Sequence, residues 1–249
     1  VNDLLAGAKV DKIHQPSKNE LVFIMRTRGG MHKLYFSADA NSPRFAVVNS
    51  VPENPQTPPM LCMLFRKRLV GATLVSVEQY GLDRIAFFNF DATNEIGDRV
   101  KLTLAVEIMA QHSNVILFDS DNRIVDALKR VDSEKSSYRL VLPGAQYKLP
   151  PPQEKLDIRS VEPQEICQGV LALTNTKLSS AILKTMQGVS PLLSREIAYR
   201  VCGDDKGIAE LTTEEKMALL CEISSLKTMV TSGQVKPTMV LDESEKPME

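Results

Sequence analysis

Two proline-rich segments set the strongest limit on how this sequence can fold. Residues 49–59, NSVPENPQTPP, contain four prolines, and residues 142–158, LPGAQYKLPPPQEKLDI, contain four more. Proline has no amide hydrogen to donate, so neither segment can form a central β-strand. The hydrophobic pattern changes at the second segment, which marks a domain boundary. We therefore predict a β-rich domain over residues 1–155, a helical domain over 156–235, and a tail or truncated returning strand over 236–249.

Before the boundary, short apolar segments alternate with turn residues. Segments such as residues 20–28, ELVFIMRTR, and residues 84–90, RIAFFNF, are rich in β-branched and aromatic residues. The links between such segments are short enough for hairpins. The pattern predicts about eight antiparallel strands, enough for a two-layer β domain, and an α+β fold for the whole chain.

Helical spacing of apolar residues marks one helix inside the β-rich part and several helices after the boundary. The first, residues 60–72, follows a proline and ends at a glycine. The predicted helices after the boundary cover residues 163–173, 177–187, 191–203 and 212–230.

The connection QGVSP, residues 187–191, lies between two of these predicted helices. It places Gly188 after one helix and Ser190 and Pro191 as the N-cap and first position of the next. This arrangement is typical of a helix-hairpin-helix module, whose backbone amides can hold a nucleic-acid phosphate. We predict phosphate contacts at Gly188 and Ser190, although many helical hairpins also turn on glycine for structural reasons alone.

The charge distribution argues against a strongly basic nucleic-acid-binding domain. Residues 1–150 carry 19 Lys and Arg against 16 Asp and Glu, and residues 151–249 carry 11 against 15. Contact with a polyanion must therefore come from local patches. Arg66, Lys67 and Arg68 form one such patch, because three consecutive residues fan over about 200° of a helix. We predict phosphate contacts there.

Composition limits the compartment and the chemistry. No apolar run reaches the ~20 residues of a membrane-spanning helix, and no charged-then-apolar leader opens the chain, so we expect a cytoplasmic protein without membrane contact. Cys62, Cys167, Cys202 and Cys221 form no CxxC pair and lie in apolar helical contexts. We expect four free, buried thiols and no metal site. No phosphate-loop or dinucleotide glycine pattern occurs, so we expect no cofactor.

An acid and a base stand side by side in the segment EQYGLDRI. If Asp83 and Arg84 both belong to the strand beginning at Ile85, they point to opposite faces and do not pair with each other. A solvated turn after Gly81 is the alternative. An exposed ion pair contributes only ~0–1 kcal/mol, so stability is a poor reason for its presence.

The segment EIMAQHSN is the second concentration of polar side chains. Glu107, His112, Ser113 and Asn114 fall at the end of one predicted strand and in the turn to the next, where they can cap backbone or grip phosphates and base edges. A hydrolase built on Ser113, His112 and either Asp83 or Glu107 is the alternative. No nucleophile-elbow pattern accompanies it, and adjacent His and Ser rarely align for proton transfer.

Seven segments, taken together and in order, resemble the N-terminal part of the NFACT family. They are KVDKIHQP, NPQTPPMLCMLFRKRLVG, EQYGLDRI, NEIGD, VEIMAQHSNVILFD, YRLVLPGAQY and LPPPQEK. The resemblance spans nearly all of residues 1–160, and the helical part fits the helix-hairpin-helix module that follows in the family.

The resemblance implies a role in ribosome-associated quality control. Family members bind a large ribosomal subunit, with its rRNA, that still carries peptidyl-tRNA and a nascent chain. They recruit charged tRNA for untemplated C-terminal tailing, with alanine in bacteria. The N-terminal domain of the family is similar to the N-terminal fold of formamidopyrimidine-DNA glycosylases without their catalytic apparatus, which implies a non-enzymatic RNA-binding module.

The resemblance also implies which residues handle tRNA. The family's Asp-Arg motif falls on Asp83 and Arg84, and its Glu and His-Ser-Asn element falls on Glu107, His112, Ser113 and Asn114. Here Ala110 and Gln111 replace the glycine and the arginine that usually precede the His-Ser-Asn element.

Two rival functions are also compatible with this sequence. An older family name suggests a surface adhesin that binds fibronectin or fibrinogen, and the fold similarity suggests a DNA-repair glycosylase. The family's coiled-coil arm and C-terminal domain would follow Glu249, so we expect an N-terminal fragment.

Overall fold

The computed structural model describes residues 1–134, 136, 138–234 and 238–246. The chain divides into two compact units, Val1–Pro152 and Gln153–Glu249. The division falls inside the second proline-rich segment, close to the boundary drawn from the sequence at residue 155.

Among its described residues, the first unit contains nine strands and two α-helices. Asn2–Leu5 forms α1 and Met60–Leu69 forms α2. The strands are β1 (Lys9–His14), β2 (Glu20–Thr27), β3 (Gly30–Ser37), β4 (Arg44–Val48), β5 (Thr73–Gln79), β6 (Ile85–Thr93), β7 (Arg99–Glu107), β8 (Asn114–Asp119) and β9 (Ile124–Ala127). The sequence prediction of about eight strands missed β4, which lies just before the first proline-rich segment.

All nine strands form one antiparallel sheet in the order β4-β3-β2-β1-β5-β6-β7-β8-β9. Two meanders, β1 to β4 and β5 to β9, meet where β1 pairs with β5. We call this junction the seam. Lys9 is paired with Thr73 there, and hydrogen bonds from Leu74 N to Ala8 O (2.8 Å) and from Val10 N to Ala72 O (2.9 Å) extend the pairing.

The sheet is folded over so that its two halves face each other. The rings of Phe36 in β3 and Phe88 in β6 lie 5.1 Å apart, although three strands separate β3 from β6 in the sheet. At ~4.8 Å per strand, a flat sheet would place them roughly 19 Å apart. Phe23 and Phe90 meet in the same way, with 6.3 Å between ring centres. One antiparallel sheet thus supplies both layers around the core.

Helix α2 closes one side of this core. Cys62, Phe65 and Leu69 are fully buried in it. The Nε atom of Arg66 donates to Ile13 O at 2.7 Å, which ties the helix to β1. Gly71 follows with a φ of +86°, a left-handed conformation that glycine adopts without strain.

The second unit contains four helices among its described residues: α3 (Pro163–Leu171), α4 (Leu178–Thr185), α5 (Pro191–Cys202) and α6 (Thr213–Ser232). Gly188 has a φ of +75°. The hydroxyl of Ser190 accepts from Leu193 N at 3.1 Å, as expected of an N-cap. The assignment of this turn as a helix-hairpin-helix module stays a prediction. The predicted tail at 236–249 lies partly outside the described residues, at 236–237 and 247–249.

The cysteine prediction is correct for two residues and wrong for the others. All four thiols are free; Cys62 and Cys167 are buried, whereas Cys202 is half-buried and Cys221 is exposed. In the described ranges, no group of three or more His, Cys, Asp or Glu side chains could hold a metal ion. No helix in those ranges is long and apolar enough to cross a membrane.

Candidate functional site

Three adjacent strands have their ends side by side at one end of the sheet. Ile85 at the start of β6 is paired with Glu107 at the end of β7, which is paired with Asn114 at the start of β8. Just beyond this row, Ile108 N donates to Arg84 O at 2.8 Å. The structure therefore brings the Asp83-Arg84 segment beside the segment from Glu107 to Asn114.

Asp83 and Arg84 lie in a turn, ahead of the strand rather than in it. Asp83 N donates to Tyr80 O at 3.0 Å, and Gly81 has a φ of +58°. The side chain of Gln79 donates to Asp83 O at 2.9 Å and ties the turn to β5. Strand alternation therefore does not govern the two side chains, and the turn interpretation is confirmed. Arg84 is exposed and Asp83 is half-buried.

Glu107 is buried and forms an ion pair with Arg139. Its side chain is only 1% exposed. Arg139 Nη1 donates to Oε1 at 2.7 Å, and Nη2 donates to Oε2, so the pair is bidentate. The Tyr147 hydroxyl adds a bond to Oε1 at 3.1 Å. Direct RNA contact by Glu107, as the sequence predicts, would require this arrangement to open.

Arg139 and Tyr147 belong to an irregular segment, residues 138–149, that we call the strap. It covers a second apolar cluster on the other face of the sheet. Tyr147 is stacked on Phe118 with 4.4 Å between ring centres and 8° between planes. Ile124 N donates to Ala145 O at 2.8 Å. The Glu107 pair is thus the polar anchor of a strap that is otherwise held by aromatic packing and backbone bonds.

Electrostatics of the anchor follow from burial and from the Glu107 charge. Burial disfavours the charge of Arg139, but the hydrogen bonds and the charge of Glu107 outweigh it and raise the pKa of the guanidinium. Burial raises the pKa of Tyr147, and the Glu107 carboxylate raises it further. At neutral pH the anchor therefore contains a charged arginine and a protonated phenol.

Ser113 and Asn114 are buried and bonded to backbone. Ser113 Oγ accepts from Met109 N at 2.7 Å and closes the loop between β7 and β8. Asn114 Oδ1 accepts from Lys129 N at 2.9 Å, and Asn114 Nδ2 donates to Lys129 O at 2.7 Å. Because the Ser113 side chain is 0% exposed, it is not presented as a nucleophile in this geometry. Both residues shape the loop.

Ala110 occupies a backbone position that favours glycine. Its φ is +47°, the left-handed region that strains a residue with a Cβ. Ala110, Gln111 and His112 form one turn of 3₁₀ helix there. His112 is exposed, with its Nε2 3.2 Å from Gln111 Nε2. The turn thus presents His112 outward, two residues after the strained backbone of Ala110.

A cleft of about 670 Å³ opens beside this loop, within the first unit. Its lining combines cations, one aromatic ring and apolar walls: Met109, Gln111, His112, Ser113, Asn114, Lys129, Arg130, Val131, Ser136, Tyr138, Arg139, Pro150 and Pro151. Of the six residues predicted to handle tRNA, His112, Ser113 and Asn114 line it. We call Asp83, Arg84 and His112 the rim, and Glu107, Ser113 and Asn114 the support.

The predicted phosphate-binding residues lie elsewhere, and several have partners. Arg66 donates to Ile13 O. Lys67 forms an exposed ion pair with Glu95 at 2.7 Å. Arg68 is exposed. Gly188 and Ser190 belong to the second unit. Their phosphate contacts stay predictions.

Sequence reasoning missed Lys129, Arg139 and Tyr147. One signal was available, because a glutamate at the end of an apolar strand needs a cation when it is buried. The segment YRLVLPGAQY contains both Arg139 and Tyr147.

Relatives with known names cover most of this chain. A protein named Rqc2 homolog RqcH from Bacillus subtilis (strain 168) is 39% identical over 226 residues, which is 90% of this chain and 39% of that protein. Archaeal Rqc2 homolog aRqcH from Methanocaldococcus jannaschii is 26% identical over 97% of this chain and 35% of that protein. The chain therefore spans less than half the length of these relatives.

Solved structures share the fold. A structure described as the fibrinogen binding protein from Staphylococcus aureus matches with a TM-score of 0.79 and 26% identity, over 97% of this chain and 82% of that one. The N-terminal part of a fibronectin/fibrinogen-binding protein from Streptococcus suis matches with a TM-score of 0.75 and 28% identity, over 98% and 86%. The similarity to the glycosylase fold stays a prediction. The family model described as NFACT N-terminal and middle domains matches residues 1–249, so this chain belongs to the NFACT family.

Proposed function

We propose that this chain is the tRNA-binding N-terminal part of a ribosome-associated quality control factor. The whole factor would bind the large ribosomal subunit with its stalled peptidyl-tRNA and recruit alanyl-tRNA for untemplated tailing of the nascent chain. The chain itself would act in the cytoplasm as a non-catalytic module without a cofactor. Family membership and relatives named Rqc2 homolog RqcH support the proposal.

The observation that carries the tRNA-binding role is the meeting of the two motifs at one end of the sheet. Arg84 and His112 are exposed there, whereas Glu107, Ser113 and Asn114 are buried and bonded. A rim held by a fixed support loses little conformational freedom on binding. Arg84 can make charge-assisted bonds to phosphate or bidentate bonds to a guanine edge.

The test is direct tRNA binding by the chain, measured by fluorescence anisotropy at fixed salt. We expect Arg84→Ala to weaken binding about tenfold, because one charge-assisted contact contributes ~1–3 kcal/mol. Arg99→Ala is the matched control: Arg99 is also exposed and begins β7, at the opposite end of the β6 and β7 pair. Equal effects of the two substitutions would show that tRNA binding depends on general attraction between charges. That result would contradict a binding site at Arg84.

The ribosomal part of the proposal needs the longer protein. We expect large subunits and tRNA to copurify with it from cells, and Asp83→Ala with Arg84→Ala to deplete the tRNA while the subunit remains. The names of the similar solved structures suggest the adhesin alternative. Binding to immobilised fibronectin and fibrinogen is therefore measured in parallel. A base-excision assay on damaged duplex addresses the glycosylase alternative.

A further inference from the structure

We infer that the cleft beside the β7 to β8 loop holds one unpaired nucleotide of a bound RNA, with its base stacked on Tyr138 and its phosphate drawn to Lys129 and Arg130. The inference rests on the proposed RNA-binding function and adds the moiety that is recognised and the residues that recognise it. None of these residues belongs to the rim or the support.

Tyr138 provides an aromatic surface in a fixed position. Tyr138 is one of the residues that line the cleft, and it is 51% exposed. It directly precedes Arg139, which the buried Glu107 pair anchors. Met109, Pro150 and Pro151 add apolar surface to the same cleft. A half-exposed ring on a fixed backbone can stack on a base, and every base has a face that permits stacking.

Lys129 places a cation in the cleft, and the hydrogen bonds of its ammonium go to backbone carbonyls. Its Nζ donates to the backbone carbonyls of Ala38 at 2.6 Å and Gln111 at 3.4 Å. Burial lowers the pKa of the ammonium, and the nearby charge of Asp39 only partly opposes this. Asn114 fixes the Lys129 backbone from both sides. A ligand phosphate would add a full negative charge to these neutral acceptors.

Arg130 adds a second cation at the opening. Its Nε and Nη2 atoms donate to Asp126 at 2.9 and 2.7 Å, and Nη1 takes no part in that pair. The side chain is 60% exposed. It can therefore contact a phosphate without giving up the aspartate.

The dimensions fit a nucleotide. A cleft of about 670 Å³ lies within the ~300–1,000 Å³ of small-ligand sites. A base in a duplex has both faces covered by its neighbours, so the stacking contact requires an unpaired base. The combination of a stacking ring with cations is the signature of single-stranded nucleic-acid sites.

The experiment compares binding of a single-stranded RNA hexanucleotide and of a blunt duplex of the same sequence to the chain, by anisotropy. We expect the single strand to bind more tightly. Tyr138→Ala should weaken its binding roughly tenfold and Tyr138→Phe should leave it within twofold, because stacking needs the ring and not the hydroxyl. Tyr199→Ala is the control, since Tyr199 is 64% exposed in the second unit.

Cation variants test the phosphate contact. Arg130→Ala should weaken hexanucleotide binding about threefold to fivefold and reduce its salt dependence. Lys129→Met should do at least as much, with the melting temperature reported beside it because Lys129 also bonds to backbone.

Failure of this inference is distinguishable from failure of the proposed function. The nucleotide site is overturned if the hexanucleotide does not bind, if the duplex binds as well, or if Tyr138→Ala behaves like Tyr199→Ala. If Arg84→Ala still weakens tRNA binding in those cases, the proposed function stands without the cleft. If tRNA does not bind at all while Tyr138 governs hexanucleotide binding, the tRNA proposal fails and the nucleotide site stands.

Discussion

The rim and the support occupy the same end of one sheet and differ in what surrounds them. Arg84 and His112 face solvent. Glu107, Ser113 and Asn114 are at most 3% exposed, and their polar atoms form hydrogen bonds with other parts of the chain. The segment EIMAQHSN therefore contains two kinds of residue. Support substitutions should act on stability and rim substitutions on binding.

The strongest test of this difference is Arg139→Ala. It leaves the Glu107 carboxylate buried without its ion pair, which costs about 3–5 kcal/mol of unfolding free energy. Urea unfolding followed by circular dichroism measures the loss. Glu107→Gln combined with Arg139→Met should recover part of it, because no charge is then left unpaired. A loss below about 1 kcal/mol would show that Glu107 is hydrated.

Asn114→Ala should rank second. It removes two bonds that hold the Lys129 backbone and leaves its partly buried peptide groups without those partners, at a cost of about 2–3 kcal/mol. The same unfolding measurement applies. His112→Ala, two residues earlier and exposed, is the control, and a similar loss in both variants would contradict the division between support and rim.

Tyr147→Phe adds a pH signature to the support. The raised pKa of Tyr147 means that the folded chain keeps the phenolic proton where the unfolded chain loses it. The stability that the hydroxyl contributes, about 1–2 kcal/mol, is therefore present below pH ~10 and falls as the pH rises above it. Urea midpoints from pH 7 to 11 should converge for wild type and variant. If the two proteins instead keep a constant difference in urea midpoint up to pH 11, the Tyr147 hydroxyl does not contribute to the anchor in this way.

Ala110→Gly should stabilise the chain. Glycine removes the Cβ strain at φ +47°, a gain of about 0.5–1 kcal/mol after its greater unfolded-state entropy is subtracted. Thermal unfolding measures it. Ala46→Gly in the edge strand β4 is the matched control and should have the opposite sign. A loss in both variants would mean that the loop relaxes around Ala110.

The rim should show the smallest effect on stability. Arg84→Ala and His112→Ala should each change the unfolding free energy by less than about 0.5 kcal/mol, as is usual for exposed residues. The same Arg84→Ala protein should bind tRNA about tenfold more weakly. A change in stability as large as that of Asn114→Ala would place the residue in the support instead.

The sequence predicts local elements better than long-range partners. Alternation located β6 and β7, and helical spacing located α2 and the helices after the boundary, because those periodicities are local. The sequence did not predict strand β4, because its five residues lead directly into a proline-rich loop. The sequence did not predict the pair of Glu107 and Arg139, because its members are 32 positions apart. Periodicity carries no information on such contacts.

The site shows the same division. Its polar residues were found from the sequence, but their roles depended on burial. For Asp83 and Arg84 the sequence left a strand and a solvated turn open, and the hydrogen bond from Asp83 N to Tyr80 O places them in the turn. Ser113 and Asn114 have side chains suited to phosphate and to backbone alike, so composition cannot say which they bind.

The seam between β1 and β5 governs the order in which the first unit can assemble. Within each meander, most strands pair with their neighbours in sequence, and such hairpins form quickly from local contacts. Lys9 is paired with Thr73 across the whole first meander and α2. Among the strand pairings of this sheet, closing the seam therefore carries the largest loop entropy. The hairpins should therefore form first, and seam closure should limit the folding rate.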